Sequence, residues 1–415
     1  MFLNDTLLQT VLYQSLKRRL KVRPSSTIVF SKAAFFLPVY EFLIHSGFVS
    51  CHFFQLSLEC TELVFCRNIF SLNCHRLNEI HIPSFFRCSR FTYVDLYLRS
   101  NDFYCVDWQT VSFSLHNIVS LNIEDVSDYS FLSPSLCPNV KHIMWRSIDK
   151  AGLSSFSDAL PTAASLTSLD FLGCNLGSNG GQQLCSALSN RNSVSHLSLS
   201  GCSISDLGIV NIINNRLVHL DVSYNSISDA GAHHLADSLK KNSSLKALVL
   251  RCNQITATGG RSLAGALKLN DSLSSLDLRY NRLGSLGTEF IADSLSVNTG
   301  LSMLDLWGND IGSEGICHLA RGLRDNCSLK ELGISENNIG SSGAKFLAEL
   351  LAFNQGLVVL DCWWNGIDET GMESILSSLK NNSHSSLMKI NVYGNDFSYE
   401  FKHNCLSSIL DFQRN

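Results

Sequence analysis

Between residues 273 and 367 the chain reads LSSLDLRYNRL (273–283), LSMLDLWGNDI (301–311), LKELGISENNI (329–339) and LVVLDCWWNGI (357–367). These stretches start at Leu273, Leu301, Leu329 and Leu357, so one phrase returns every 28 residues. Working outward, the same phrase appears as LTSLDFLGCNL from Leu166, VSHLSLSGCSI from Val194, LVHLDVSYNSI from Leu217, LKALVLRCNQI from Leu245 and LMKINVYGNDF from Leu387. Consecutive starts are separated by 28, 23, 28, 28, 28, 28, 28 and 30 residues. Self-similarity of this period marks an array in which each unit buries its apolar face against its neighbours.

The fourth and sixth places alternate inward on a short strand, as Leu276 and Leu278 do. The ninth place is Cys174 and Cys202 in the first two copies, then Asn225, Asn253, Asn281, Asn309, Asn337, Asn365 and Asn395. A buried carboxamide or thiol there is expected to bond the backbone of the turn and of the adjoining copy. Each strand is followed by GxxxLAxxL, for example Gly259, Leu263, Ala264 and Leu267, which predicts a helix with one buried face. The recurring Asn after it, as in Lys241-Asn242-Ser243, is expected to close that helix. Asn242, Asn270, Asn326 and Asn381 match the glycosylation sequon, but their place in the repeat makes them helix ends first. The spacing of 23 predicts a shortened helical segment between Ile204 and Leu217.

The predicted fold is therefore α/β: a leucine-rich-repeat solenoid, or horseshoe, with short parallel strands on the concave face and helices on the convex face. Residues 161–397 carry the regular repeats. Residues 51–160 read as divergent repeats, with strands expected at 53–58, 77–82, 91–96, 118–123 and 140–145; the alternative is a separate small domain. Residues 1–50 are expected to form an N-terminal helical cap, with Leu3, Leu7, Leu8, Val11, Leu12, Leu16 and Leu20 on one stripe. Residues 398–415 are expected to form a C-terminal cap through Phe401, Leu406, Ile409 and Leu410.

The 28-residue period with LxxLDLxxNxI and GxxxLAxxL resembles the ribonuclease-inhibitor-like class of leucine-rich repeats. That class includes ribonuclease inhibitor, the repeat domains of nucleotide-binding innate immune receptors and the Ran GTPase-activating protein. The resemblance implies a non-enzymatic scaffold or adaptor that binds a protein on its concave face. It also implies two alternatives, a GTPase activator acting on a small GTPase and a ligand-sensing fragment or regulator related to the immune receptors. The chain departs from these relatives in having no GxxxxGK[ST] and in ending LDFQRN where Ran activators carry an acidic tail.

Composition narrows the function classes. The sequence is 45% hydrophobic with only 6 Pro, which excludes a mostly disordered chain. A net charge of −4 gives no general attraction to nucleic acid. The apolar stretch 27–44 is broken by Lys32, Pro38 and Glu41, too short for a membrane span. The basic cluster Lys17, Arg18, Arg19, Lys21 and Arg23 follows the apolar run instead of preceding it, which is the wrong order for a secretory signal. A cytoplasmic location is expected, with mitochondrial or nuclear targeting as weaker readings. Fifteen Cys without a CxxC pair read as buried thiols in a reducing compartment, and no metal site or cofactor is expected. GxSxG, HExxH and kinase signatures are missing, so no catalytic residue is assigned.

The partner-binding candidates lie between and just beyond the inward leucines. The fifth place contributes an intermittent acidic column, with Asp277, Asp305 and Asp361 as its candidates; the same Asp would also brace the turn that follows. The seventh and eighth places contribute Tyr224, Arg251, Arg279, Tyr280, Trp307, Trp363, Trp364 and Tyr393. Inward core would put Trp at places four or six, so aromatics here point to an exposed ridge of interface anchors, or else to packing along neighbouring strands. Residues 161–415 hold 18 Lys/Arg against 23 Asp/Glu, which mildly favours a partner with a basic patch.

Overall fold

The computed structural model describes residues 70–74, 94–99, 120–124, 139–148, 150–189, 193–210, 212–214, 216–398 and 401. The expected helical cap over 1–50, the strands expected at 53–58 and 77–82, and all of the C-terminal cap but 398 and Phe401 lie outside these residues. The chain divides into two compact units, residues 1–169 and 170–415.

In the first unit, β1 (Phe70–Cys74), β2 (Val94–Arg99), β3 (Ser120–Glu124) and β4 (His142–Ser147) pair in sequence order, each parallel to the next. Three of them overlap the strands expected at 91–96, 118–123 and 140–145. β1 was not expected. Helix α1 (Lys150–Ala159) follows β4, and its Phe156 meets Trp145 edge-on with ring centroids 4.6 Å apart. Both side chains are fully buried, so this aromatic pair anchors the helix to the strand.

The second unit repeats strand and helix. Its strands are β5 (Ser168–Phe171, which crosses the boundary between units), β6 (His196–Ser198), β7 (His219–Asp221), β8 (Ala247–Val249), β9 (Ser275–Asp277), β10 (Met303–Asp305), β11 (Glu331–Gly333), β12 (Val359–Asp361) and β13 (Lys389–Asn391). From β6 onward each is parallel to the next with no register shift, so Leu220, Leu248, Leu276, Leu304, Leu332 and Leu360 stack in one buried row. The helices are α2 (Gly177–Ser189), α3 (Asp229–Leu239), α4 (Ala257–Leu267), α5 (Gly284–Leu295), α6 (Gly312–Leu323), α7 (Gly340–Phe353) and α8 (Glu369–Asn381). Between β6 and β7 the described residues contain turns and the short 3-10 helix Ile212–Asn214, with no α-helix. The five-residue deletion there falls where the 23-residue spacing placed it. The architecture is an α/β leucine-rich-repeat solenoid.

Two asparagine ladders hold the turns. At the ninth place, the Asn309 side chain donates to Leu278 O (2.9 Å) and Leu306 O (3.0 Å), while its oxygen accepts from Leu283 N at 3.3 Å. Asn225, Asn253, Asn281 and Asn395 bond both their own turn and the repeat before it in the same way. The second ladder runs through Asn242, Asn270, Asn298, Asn326, Asn354 and Asn382 behind the helices. Asn298, for example, donates to Leu267 O (2.7 Å) and Asn270 O (2.9 Å), and accepts from Leu301 N at 2.8 Å. These residues therefore do more than end a helix: they tie each helix-to-strand turn to the preceding one. The repeat before β13 is offset, because its ladder residue is Asn382, and the sequon residue Asn381 is exposed at the end of α8.

The glycine that recurs in each helix answers a close approach. A Cβ at Gly259 would lie 2.6 Å from Asp229 Oδ1 and 2.7 Å from Ile255 Cγ2. Asp229 itself accepts from Thr256 N (2.7 Å), Gly259 N (2.9 Å) and Thr256 Oγ1 (2.6 Å), pinning the start of α4 to the helix before it. Burial raises the Cys185 and Cys362 thiols to about 12, so both are protonated core residues at neutral pH.

Candidate functional site

The outward face of the second unit's sheet is built from the third, fifth, seventh and eighth places of each repeat. Its backbone is regular: the eighth residue has a positive φ in all nine repeats, from Gly173 at +69° to Gly394 at +74°. Glycine fills this place four times, at 173, 201, 308 and 394, where the left-handed conformation costs nothing. Tyr224, Cys252, Tyr280, Glu336 and Trp364 adopt it with φ between 49° and 54°. A side chain there costs about 1 kcal/mol relative to glycine. Three of the five residues that bear this cost are aromatic.

The side chains form a continuous row. The Arg251 guanidinium lies 5.4 Å from the ring centroids of both Tyr224 and Tyr280. Tyr280 packs against Trp307 at 5.2 Å, and Trp307 against Trp363 at 4.6 Å. Trp307 and Trp363 follow β10 and β12 by two residues, with the repeat of β11 between them, so their attachment points are about 9.6 Å apart. They meet because the residue at that place of the intervening repeat is Ser335, which is small and only 1% exposed. Beyond them Trp364 lies over Gly394, where a Cβ would be 2.5 Å from the indole. Tyr224, Trp364 and Tyr393 are 52%, 54% and 74% exposed, whereas Trp307, Trp363 and Tyr280 are half-buried against one another. The six aromatics therefore divide: three are open to solvent and three pack along neighbouring strands.

The acidic column divides as well. Asp221, Asp277 and Asp305 each accept from the backbone N–H two residues on, at 2.8, 2.9 and 3.1 Å, which is the turn-bracing role expected for this place. Asp277 is 6% exposed, and its carboxylate is taken by Arg279 through Nε (2.9 Å) and Nη2 (2.5 Å). It positions Arg279 instead of presenting a free acceptor. Arg279 also reaches Asp305 Oδ2 at 3.4 Å, and its hydrogen bonds to Asp277 raise its own pKa. Asp361 lacks the turn bond: its Oδ1 is buried with no hydrogen-bond partner among the described residues. The same is true of Arg251 Nε, Trp307 Nε1 and Ser335 Oγ. Ser335 and Glu336 were missed by sequence reasoning, which searched these places for aromatics; Glu336 accepts from the Tyr280 hydroxyl at 3.4 Å.

Asp305 is the most perturbed carboxylate of this face. Burial raises its pKa to about 6 from 3.8, and the neighbouring Asp277 and Asp361 add to the rise while the Trp307 N–H and Arg279 oppose it. A folded-state value above the unfolded one means the ionised form destabilises the fold. Stability from this group is greatest below about pH 4 and is lost as pH rises through about 6. The full shift would be worth about 3 kcal/mol, which partial exposure and the lost Arg279 contact reduce to about 1 kcal/mol. Asp305→Asn is therefore expected to raise the unfolding free energy by about 1 kcal/mol at pH 7.5, and to flatten its pH dependence between pH 4 and 6, in urea titrations. A variant less stable than wild type at pH 7.5 would contradict this.

The description Leucine Rich repeat matches residues 162–185, 214–236, 241–264, 269–292 and 325–348, so the chain carries leucine-rich repeats. No curated protein matches the chain. Among solved structures, an internalin from Listeria monocytogenes is 19% identical with a TM-score of 0.41, covering 69% of this chain and 84% of its own. The actin-binding site 2 of leiomodin-1 is 17% identical with a TM-score of 0.26, covering 44% of this chain and 79% of its own. Among the described residues no helix is long and apolar enough to cross a membrane, and no group of three His, Cys, Asp or Glu is placed to hold a metal ion.

Proposed function

We propose that the protein is a binding scaffold whose second unit takes a protein partner on the outward face of its sheet. Leucine-rich arrays present extended surfaces of this kind. The observation that carries the reading is the row of aromatics at the seventh and eighth places. Tyr224, Tyr280 and Trp364 are kept in left-handed backbone conformations that glycine would adopt without cost, and Tyr224, Trp364 and Tyr393 leave large apolar surfaces in water. Strain and exposed aromatic area retained together on one face are features of binding surfaces.

The full chain, immobilised and exposed to cell extract, should retain a partner that is then purified and titrated against variants. Trp364→Ala and Tyr393→Ala are each expected to weaken that binding by about 2 kcal/mol, with folding stability changed by no more than about 0.5 kcal/mol. Lys345→Ala and Glu349→Ala, on the exposed side of α7, serve as the opposing surface. If these weaken binding and the aromatic variants do not, the partner sits on the helices and the reading fails. Faster GTP hydrolysis by a retained small GTPase would direct the same face toward the activator alternative.

A further inference from the structure

Within that proposed binding face, and resting on that reading, we propose that β11 floors a subsite for an arginine side chain of the partner. In this repeat the outward places five and seven are Gly333, which ends β11, and Ser335 just beyond it, two residues apart and on one face. The same places of the flanking repeats carry Asp305 and Trp307 on one side and Asp361 and Trp363 on the other. The missing side chain at 333 leaves space between the repeats that carry two carboxylates. Asp305 already leans into it: a Cβ at Gly333 would lie 2.6 Å from Asp305 Oδ1.

Three of the face's unpaired polar groups belong to the repeats around this place. Ser335 is almost fully buried and its hydroxyl has no hydrogen-bond partner among the described residues; neither does Asp361 Oδ1 or Trp307 Nε1. Buried polar atoms without partners are costly, and these three ask for complementary chemistry. Two carboxylates and a hydroxyl accept from a cationic donor, and an indole N–H donates to a carbonyl. A peptide segment with a basic side chain supplies both. A guanidinium fits better than an ammonium, because its planar fork donates towards both flanks at once and its face can lie on an indole. Glu331 and Glu336 add negative charge on the same strand and the turn after it. Arg279 is the cation facing Asp305, and Asp277 already holds it.

The test uses the full chain labelled with 5-fluorotryptophan, with Trp307 and Trp363 resonances assigned through their Phe variants. The probe is the peptide Gly-Gly-Arg-Gly-Gly, acetylated and amidated so that its ends are uncharged, at pH 7.5 where Asp305 is ionised. Saturable shifts at Trp307 and Trp363 are expected, at least tenfold weaker for the citrulline analogue. The double variant Asp305→Asn, Asp361→Asn, checked for folding by circular dichroism, should bring the arginine peptide down to the citrulline level. Equal binding of arginine and citrulline peptides, no shift at either tryptophan, or a double variant that binds like wild type would overturn the subsite. Loss of a captured partner with Trp364→Ala and Tyr393→Ala alongside equal peptide binding would overturn the subsite alone and leave the sheet-face reading standing. A specific peptide response with a partner held on the helices would do the reverse.

Discussion

Leu304→Ala is expected to lower the unfolding free energy by about 2–5 kcal/mol while leaving the outward face of the sheet intact. Leu304 is fully buried at the centre of β10, in register with Leu276 on one side and Leu332 on the other. The loss has two parts, the transfer free energy of three carbons and the cavity that remains. The second part is large here, because both lateral neighbours are leucines fixed by parallel pairing and cannot slide along the sheet to fill the space. Met303→Ala, one residue earlier and 40% exposed, is the control and should cost less than about 0.5 kcal/mol. Chemical denaturation of the two variants measures the difference. A Leu304→Ala cost below 1 kcal/mol would mean that the leucine row is not a close-packed core.

How much of this could be read beforehand follows from how often each message is repeated. Period and strand places are written nine times over and the ninth-place asparagine seven times, so Cys174 and Cys202 in its place do not hide the pattern. β1 is written once. Around it Ile69, Leu72 and Cys74 keep the spacing of places one, four and six, but Leu77 stands in the asparagine's place, and the phrase is not recognisable alone. The contact between Trp307 and Trp363 was illegible for another reason. Their repeats are not adjacent, and only the small Ser335 between them lets the indoles touch. The different fates of Asp277 and Asp361, identical in pattern, depend on what stands two places later. Arg279 claims Asp277, whereas Trp363 offers Asp361 no side-chain cation. Register predicts where a side chain is presented; its availability depends on neighbours one and two repeats away.

Asn309→Ala should be among the most damaging single changes on the ladder, because Asn309 is fully inaccessible and its side chain serves four backbone groups. Its amide donates to Leu278 O, Leu306 O and, at 3.3 Å, Trp307 O, and its oxygen accepts from Leu283 N. Alanine removes all four bonds and strands their partners. Each stranded group costs about 1–3 kcal/mol, and water entering the space left by the carboxamide recovers part of that. The expected loss is about 3–4 kcal/mol, above what a surface asparagine would cost. Asn309→Asp separates the roles: it keeps the acceptor for Leu283 N but replaces the donor with a charge facing three carbonyls. It should therefore be no better than alanine at pH 7.5, and should recover stability as the pH falls and the carboxyl gains a proton. An aspartate variant as stable as wild type at pH 7.5 would show that the donated bonds contribute nothing, and that the ladder holds the array only through the acceptor side.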